Sequence, residues 1–562
     1  MKGTMSQRDF RGASFCMPLV ALVALWAVTV ANPAPGWAAA NIWIKTGSPW
    51  SVTGGDDLQR LKGIASAADF EFGPTAETTA ALKLVGVKTI RVINADVVGS
   101  FDKDGKFIVE KGAPYLDGQL DLCRSLGAIP HVIIGGLSPD LADLSVKEQD
   151  VADPALKKLV HDGAVFGPTD WPKYRSYTEA FIEYVMVTKG FANAEFEVGN
   201  EPDIGGGLYP FPPKPAMGSR AAYEAAFNLY KNCAEAAESF EQKHPGLPVR
   251  IGGPALAWAF TYKWGDFNWT PHFLRDCSEE HVKLDFLGLH FYGNNSSLDG
   301  EYSGYVPSFA GMMRVVNDAI AQYYPQGLPV YFMEWGPSYQ VGGNDPKLGC
   351  TVNADNIGAA WASASLNTML TCGVTKASSL TTDLWMTNGG KLTDEWSWDA
   401  LFLAPPANGG KAYPKPLFHV FEMVSRLEGH RVEATRGNQT VNCFVSADPE
   451  QRKITMLVWN YVAVLNEASP PVEKAVSEPT QVHVRDAGNF FHSPQVKVEA
   501  WQINGDTDNI PKMLMAGVAP DETNTAMAQL PATTATINQG ALEFSMTLPP
   551  SSVSLVVLTE NP

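Results

Sequence analysis

The stretch Phe196-Glu197-Val198-Gly199-Asn200-Glu201-Pro202-Asp203 runs from a short strand pattern directly into polar residues and a proline. A second stretch, Val330-Tyr331-Phe332-Met333-Glu334-Trp335, likewise ends its apolar run on a carboxylate. Each glutamate thus closes a strand, which is where (β/α)8 barrels keep their catalytic groups. The interval between them leaves room for two further strands and three helical connections. That places the two strands on opposing sides of one ring.

Working outward, residues 60–425 alternate short apolar runs with amphipathic stretches of helical period, the pattern of a parallel α/β barrel. The runs Gly63–Phe70, Thr89–Ile93, Ile129–Ile134, Glu195–Gly199, Val249–Gly252, Phe286–Phe291, Val330–Glu334 and Ala377–Leu384 supply eight candidate strands. Helical stretches fall between them at Thr78–Leu84, Tyr174–Val187, Arg220–Phe240, Met312–Tyr324 and Ala359–Leu370, and Leu417–Leu427 would close the ring. Tyr209–Pro213 and Asn388–Pro406 read as long βα loops on the substrate face. From residue 429 to 562 the pattern changes to period-two segments with Gly, Pro and Asn turns, as in a β-sandwich. The expectation is an α/β fold: a (β/α)8 TIM barrel over 41–428 with a C-terminal β-sandwich domain over 429–562.

Residues 1–40 carry Lys2, Arg8 and Arg11, then the uncharged run Met17–Ala31, then Ala38-Ala39-Ala40, the order of a secretory signal peptide. A secreted or periplasmic protein, with no membrane attachment after cleavage, is expected. Loss of that segment takes the formal charge from −18 to about −20. So acidic a chain is a poor partner for nucleic acid and favours a neutral or cationic substrate. Six cysteines remain outside the leader; an oxidising compartment permits a bridge such as Cys350 to Cys372, and buried thiols fit equally well. The sequence has neither CxxC nor HExxH, so no metal and no cofactor is expected. It does not reveal the oligomeric state.

Two carboxylates across a barrel mouth can cleave a glycosidic bond, one donating a proton to the leaving oxygen and the other attacking the sugar carbon. His290 and Tyr292 share parity on the sixth strand, so both face the pocket if either does. Trp335 and Trp385, each beside a strand end, offer flat rings for stacking on sugar. Glu197, of the same parity as Glu201 but deeper, suits an internal salt bridge.

Phe196–Asp203, Arg250–Ala255 (RIGGPA), Leu287–Gly293 (LGLHFYG), Met333–Gly336 (MEWG) and Leu457–Tyr461 (LVWNY) together resemble a clan A glycoside hydrolase, most closely family 39. The resemblance implies a retaining enzyme with Glu201 as general acid/base, Glu334 as nucleophile, and Asn200 holding the hydroxyl beside the reacting carbon. Such a pair must lie about 5 to 5.5 Å apart, so that one carboxylate reaches the anomeric carbon without an intervening water. Glu334 must stay ionised, for which Arg91 is the expected cation and Tyr292 the expected hydroxyl. The family's xylosidases usually carry a histidine after the arginine and a tryptophan before the asparagine. Here Val92-Ile93-Asn94 follow Arg91 and Gly199 precedes Asn200, so the sugar is not carried over. The expected activity is hydrolysis of a β-linked glycan, and the partner an oligosaccharide or polysaccharide. The rivals are an endo-acting hydrolase of an extracellular polysaccharide and a barrel that binds carbohydrate without turnover.

Overall fold

Eight parallel strands close on themselves in chain order: Gly63–Ser66, Thr89–Val92, Ile129–Ile134, Glu195–Val198, Arg250–Leu256, Phe286–Tyr292, Val330–Gly336 and Val374–Ser379, the first to eighth barrel strands. The computed structural model describes residues 39–49, 56–66, 76–92, 98–101, 107–111, 113–134, 168, 170–204, 220–257, 268–293, 309–338, 352–380, 383–385, 401–404, 412–461 and 476–561. The leader before Ala39, the Tyr209–Pro213 loop, most of Asn388–Pro406 and Cys350 lie outside the described residues.

The apolar half of each strand faces outward. Ile90, Val92, Val132, Phe196, Val198, Leu289 and Phe332 join the helices in one continuous core. The helix Arg220–Lys243 shows why the helices seat there: Tyr223, Ala226, Tyr230, Cys233, Ala237 and Phe240 recur at helical spacing and are buried. Asp355 starts the helix Asn356–Thr371 by accepting from the amides of Ile357 and Gly358, satisfying donors the helix itself cannot pair. The helix Pro416–Ser425 follows the last barrel strand, with proline in its first turn. Cys123, Cys233, Cys277 and Cys443 are buried thiols.

The C-terminal domain is a second ring of strands, flattened into two layers. Its order is Ser552–Glu560, Gln495–Ile503, Thr533–Asn538, Ala541–Leu548, Glu478–Arg485, Ala40–Pro49, His430–Ala434, Val441–Asp448, Lys453–Asn460 and back to Ser552–Glu560. His430–Ala434 turns one corner, pairing through residues 432–434 with one neighbour and through 430–431 with the other. Thr533–Asn538 turns the opposite corner in the same way. Ile42, Ile44, Val445, Met456, Val482 and Leu558 fill the interior. On the outside of one layer, Phe444, Leu457, Trp459 and Leu555 merge with the barrel core.

Two sequence expectations change. Ala40–Pro49 is no part of the barrel: it lies parallel to Glu478–Arg485, Ala40 opposite Thr480 and Lys45 opposite Arg485. Its alternation explains this, because Ala40, Ile42 and Ile44 are buried in the sandwich while Asn41, Trp43 and Lys45 face solvent. The eighth barrel strand ends at Ser379 and does not run to Leu384. Asp383–Trp385 instead pairs with Phe402–Ala404, which pairs with Tyr413–Pro414 in a separate small sheet. Among the described residues, no helix is long and apolar enough to cross a membrane.

Candidate active site

Arg91 alternates with outward Ile90 and Val92, so its side chain enters the ring, where it is fully buried. Its planar fork reaches three partners among the described residues. Nε donates to Glu197 Oε2 at 2.7 Å, Nη1 to Glu334 Oε2 at 2.9 Å, and Nη2 to Asn200 Oδ1 at 2.9 Å. One guanidinium therefore ties the second, fourth and seventh strands together at the mouth.

Strict alternation would not deliver Glu334 there. Tyr331 and Met333 cluster with Phe286 apart from the outer core, whereas Phe332 belongs to that core, and a simple period of two would send Glu334 outward after it. The register slips between Phe332 opposite Leu289 and Glu334 opposite His290, so two residues on the seventh strand answer one on the sixth. That bulge turns the carboxylate into the mouth. Tyr292 donates its hydroxyl to Glu334 Oε1 at 2.6 Å.

Glu201 is aimed by its backbone. It lies in the left-handed region at φ 51°, and its N–H donates to the carbonyl of Ala255, itself at φ 55°. Non-glycine residues stay in that region only where their surroundings fix them, and here the ends of the fourth and fifth strands do so. His290 Nδ1 lies 2.9 Å from Glu201 Oε1 and 3.6 Å from Glu334 Oε2. Oxygens of Glu201 and Glu334 and a ring nitrogen of His290 all fall within 4.8 Å of one another. This trio is of metal-ligating type, but the Arg91 cation beside Glu334 disfavours an ion there.

Burial by itself would push the Glu334 carboxyl up, yet His290, Arg91 and the Tyr292 hydroxyl outweigh it and hold the group below its ordinary value. Burial likewise opposes the charge on His290, but Glu334 and Glu201 leave it above its usual 6.5. Glu197 is buried too, and Arg91 and His131 bring it down to about 2.

Asn200, Arg91, His290 and Tyr292 thus converge on Glu201 and Glu334 as the sequence suggested. The two tryptophans do not. Trp335 is fully buried on the outside of the strand, 5.6 Å from Trp361 and 6.4 Å from Phe421 between ring centroids, so it has no face to offer a sugar. Beyond the bulge the alternation resumes, so Trp335 points outward after the inward Glu334. Trp385 lies in the small three-stranded sheet, not at the end of a barrel strand, and its side chain is outside the described residues.

Of the layer beneath, sequence reasoning found Glu197 but missed His131 and Glu195. His131 Nε2 lies 3.6 Å from Glu197 Oε2, and its Nδ1 lies 3.4 Å from Glu195 Oε2. Glu195 also accepts from Lys376 Nζ at 2.7 Å and from the Tyr331 hydroxyl at 3.2 Å. The signal was available: Glu195 and Glu197 occupy alternate positions of one otherwise apolar strand, and His131 interrupts another.

The sequence profile of glycosyl hydrolases family 39 matches residues 174–500. A β-xylosidase of Caldicellulosiruptor saccharolyticus is 21% identical over 400 residues, 68% of this chain and 70% of that protein. Among solved structures, a family 39 glycoside hydrolase from Xanthomonas axonopodis pv. citri superposes with a TM-score of 0.66 at 18% identity, covering 93% of this chain and 98% of that one. A monomeric β-xylosidase from Caulobacter crescentus CB15 gives the same score and identity, over 93% and 100%. With its catalytic-type carboxylates paired at the mouth of an eight-stranded barrel, the chain belongs to glycosyl hydrolases family 39 and is a retaining glycoside hydrolase of clan A.

Proposed function

We propose that this enzyme hydrolyses β-linked glycans outside the cytoplasm by double displacement, with Glu334 as nucleophile and Glu201 as general acid/base. The observation that carries the reading is that an oxygen of Glu201 and an oxygen of Glu334 come within 4.8 Å of each other across one cavity, the close approach a retaining pair requires. The leader-like first 40 residues and the β-xylosidases among its relatives support the location and the anomeric sense. Gly199, with Val92-Ile93-Asn94 after Arg91, argues for a sugar other than xylose or a wider cleft.

In the first step a Glu334 oxygen forms a bond to the anomeric carbon as the glycosidic bond breaks. The Glu201 proton passes to the departing oxygen. In the second step Glu201, now a carboxylate, takes a proton from water, whose oxygen displaces Glu334 and releases the sugar. Arg91 and Tyr292 contribute most where Glu334 carries full charge, so they keep the nucleophile ionised beforehand and assist its departure afterwards. Asn200, fixed by Arg91, keeps its amide NH2 available for a sugar hydroxyl.

The test is a screen of aryl β-glycosides alongside intact β-linked polysaccharides, comparing wild type with Glu334→Gln. That variant is expected to lose turnover by about 10⁴-fold or more with its circular dichroism unchanged. Wild-type rates in the variant would refute the nucleophile.

A further inference from the structure

Below the two proposed catalytic groups lies a carboxylate that the double displacement does not use. Glu197 is fully buried in the barrel, and its Oε2 accepts from Arg91 Nε at 2.7 Å. Its Oε1 has no hydrogen-bond partner among the described residues. The sixth strand gives way for it: a Cβ on Gly288 would come 2.5 Å from Oε1, so the glycine two residues below His290 leaves the space this carboxylate fills. The ring thus accommodates a second negative charge directly under the reacting pair.

We propose that Glu197 is a positioning residue for this reaction: through Arg91 it fixes where the guanidinium holds Glu334 and Asn200, and its charge sets the pH range over which the carboxylate pair works. This rests on the assignment of Glu201 and Glu334 made above.

The geometric half follows from the shape of the guanidinium. Its two terminal nitrogens serve Glu334 and Asn200, and a bond on the Nε side adds a third anchor that holds the plane about the line through those two. Glu197 supplies that bond. The electrostatic half follows from the charges that face it: Arg91 from the second strand, His131 from the third, Glu195 and Glu201 from its own strand and the turn after it, His290 from the sixth, and Glu334 from the seventh. Arg91 is shared between two carboxylates. With Glu197 neutral, the cation would serve Glu334 alone, and one buried negative charge would be gone. Both changes make neighbouring carboxyls release protons at lower pH.

The experiment is the pH profile of kcat and kcat/KM for wild type, Glu197→Gln and Glu197→Asp. The probe is whichever of 4-nitrophenyl β-xyloside, β-glucoside and β-galactoside wild type hydrolyses fastest, and circular dichroism reports folding. Glu197→Gln keeps the shape and removes the charge. Its kcat is expected to fall by about 10- to 100-fold, the scale on which groups one shell from the chemistry act, with KM little changed. Both limbs of its profile move to lower pH by about one unit. Glu197→Asp keeps the charge but loses one methylene of reach, so its limbs stay in place while kcat still falls.

A uniform fall in Glu197→Gln with unmoved limbs would reduce Glu197 to a structural salt bridge and overturn the electrostatic half. Wild-type kcat in Glu197→Asp would overturn the geometric half, and this variant decides the matter if Glu197→Gln does not fold. Failure of the parent reading is separate, since it appears as surviving turnover in Glu334→Gln whatever the Glu197 variants do.

Discussion

Both halves of this protein are closed rings of strands, yet they enclose opposite chemistry. Inside the sandwich ring lie Ile42, Ile44, Val445, Met456, Val482 and Leu558, an aliphatic filling whose only task is burial. Inside the barrel ring lie Arg91, His131, Glu195, Glu197 and His290, all essentially unexposed, with Phe286, Tyr331 and Met333 among them, while most of the barrel's apolar residues sit outside the strands beneath the helices. Unpaired buried charge is costly, and the barrel tolerates its own because each carboxylate faces a cation or a donor. The contrast separates a ring kept for stability from one that gives up part of its stability to hold charges where a bond will be broken.

Acid should discriminate between the rings most strongly. Glu195 and Glu197 are buried, but His131 with Lys376, and Arg91 with His131, respectively bring each down to about 2 from an ordinary 4.5. The fold therefore binds fewer protons than the unfolded chain between those values. Their stabilisation is complete above about pH 4.5 and disappears as pH falls through about 2, at about 3 kcal/mol apiece. His290, held above 6.5, has the opposite sign: its share is complete below 6.5 and is lost as pH rises through its folded value. Denaturant melts from pH 2 to 9 should show both flanks, and a flat profile would contradict the paired charges.

Substitution should separate them next. Arg91→Met leaves Glu197 and Glu334 buried without their cation and should cost about 3–5 kcal/mol together with turnover. Ile454→Ala in the sandwich should cost about 2–5 kcal/mol by leaving a cavity, with kcat per folded molecule unchanged. Urea titrations paired with initial rates distinguish the two outcomes.

The smallest effect sharpens the contrast from the other side. Asp508, in the C-terminal domain, is a buried carboxyl with neither oxygen hydrogen-bonded among the described residues. The closest ring nitrogen, His419 Nε2 at 3.5 Å, is engaged by the carbonyl of Thr525 at 2.8 Å. Burial pushes the carboxyl well above its ordinary range, so its ionisation at neutral pH works against the fold. Asp508→Asn should accordingly stabilise the protein at pH 7 by about 1–3 kcal/mol, read as a higher Tm, and the gain should vanish in acid.

The barrel was legible because its strands are short apolar runs separated by helical periods, and local pattern fixes both. The site was legible where side chains follow parity, as His290 and Tyr292 do. It was less so where a bulge intervenes: Glu334 was found as the end of a strand, although its inward aim depends on a slip that no single strand reveals. Trp335 was misread for the same reason: the slip that turns Glu334 inward sends its neighbour outward. His131 and Glu195 went unnoticed because a polar residue in an apolar strand gains its meaning only from what lies across the ring. The placement of Ala40–Pro49 could not be read locally at all, its partners His430–Ala434 and Glu478–Arg485 lying on the far side of the whole barrel sequence.

That strand has a consequence for how the molecule comes to exist. It is a stave of the C-terminal ring made before the barrel, so the ring cannot be completed until the strands that follow the barrel have been synthesised and Ala40–Pro49 has come back to them. A fragment starting at residue 429 would lack that stave, exposing the unpaired edges of His430–Ala434 and Glu478–Arg485 to any other chain with a strand to lend.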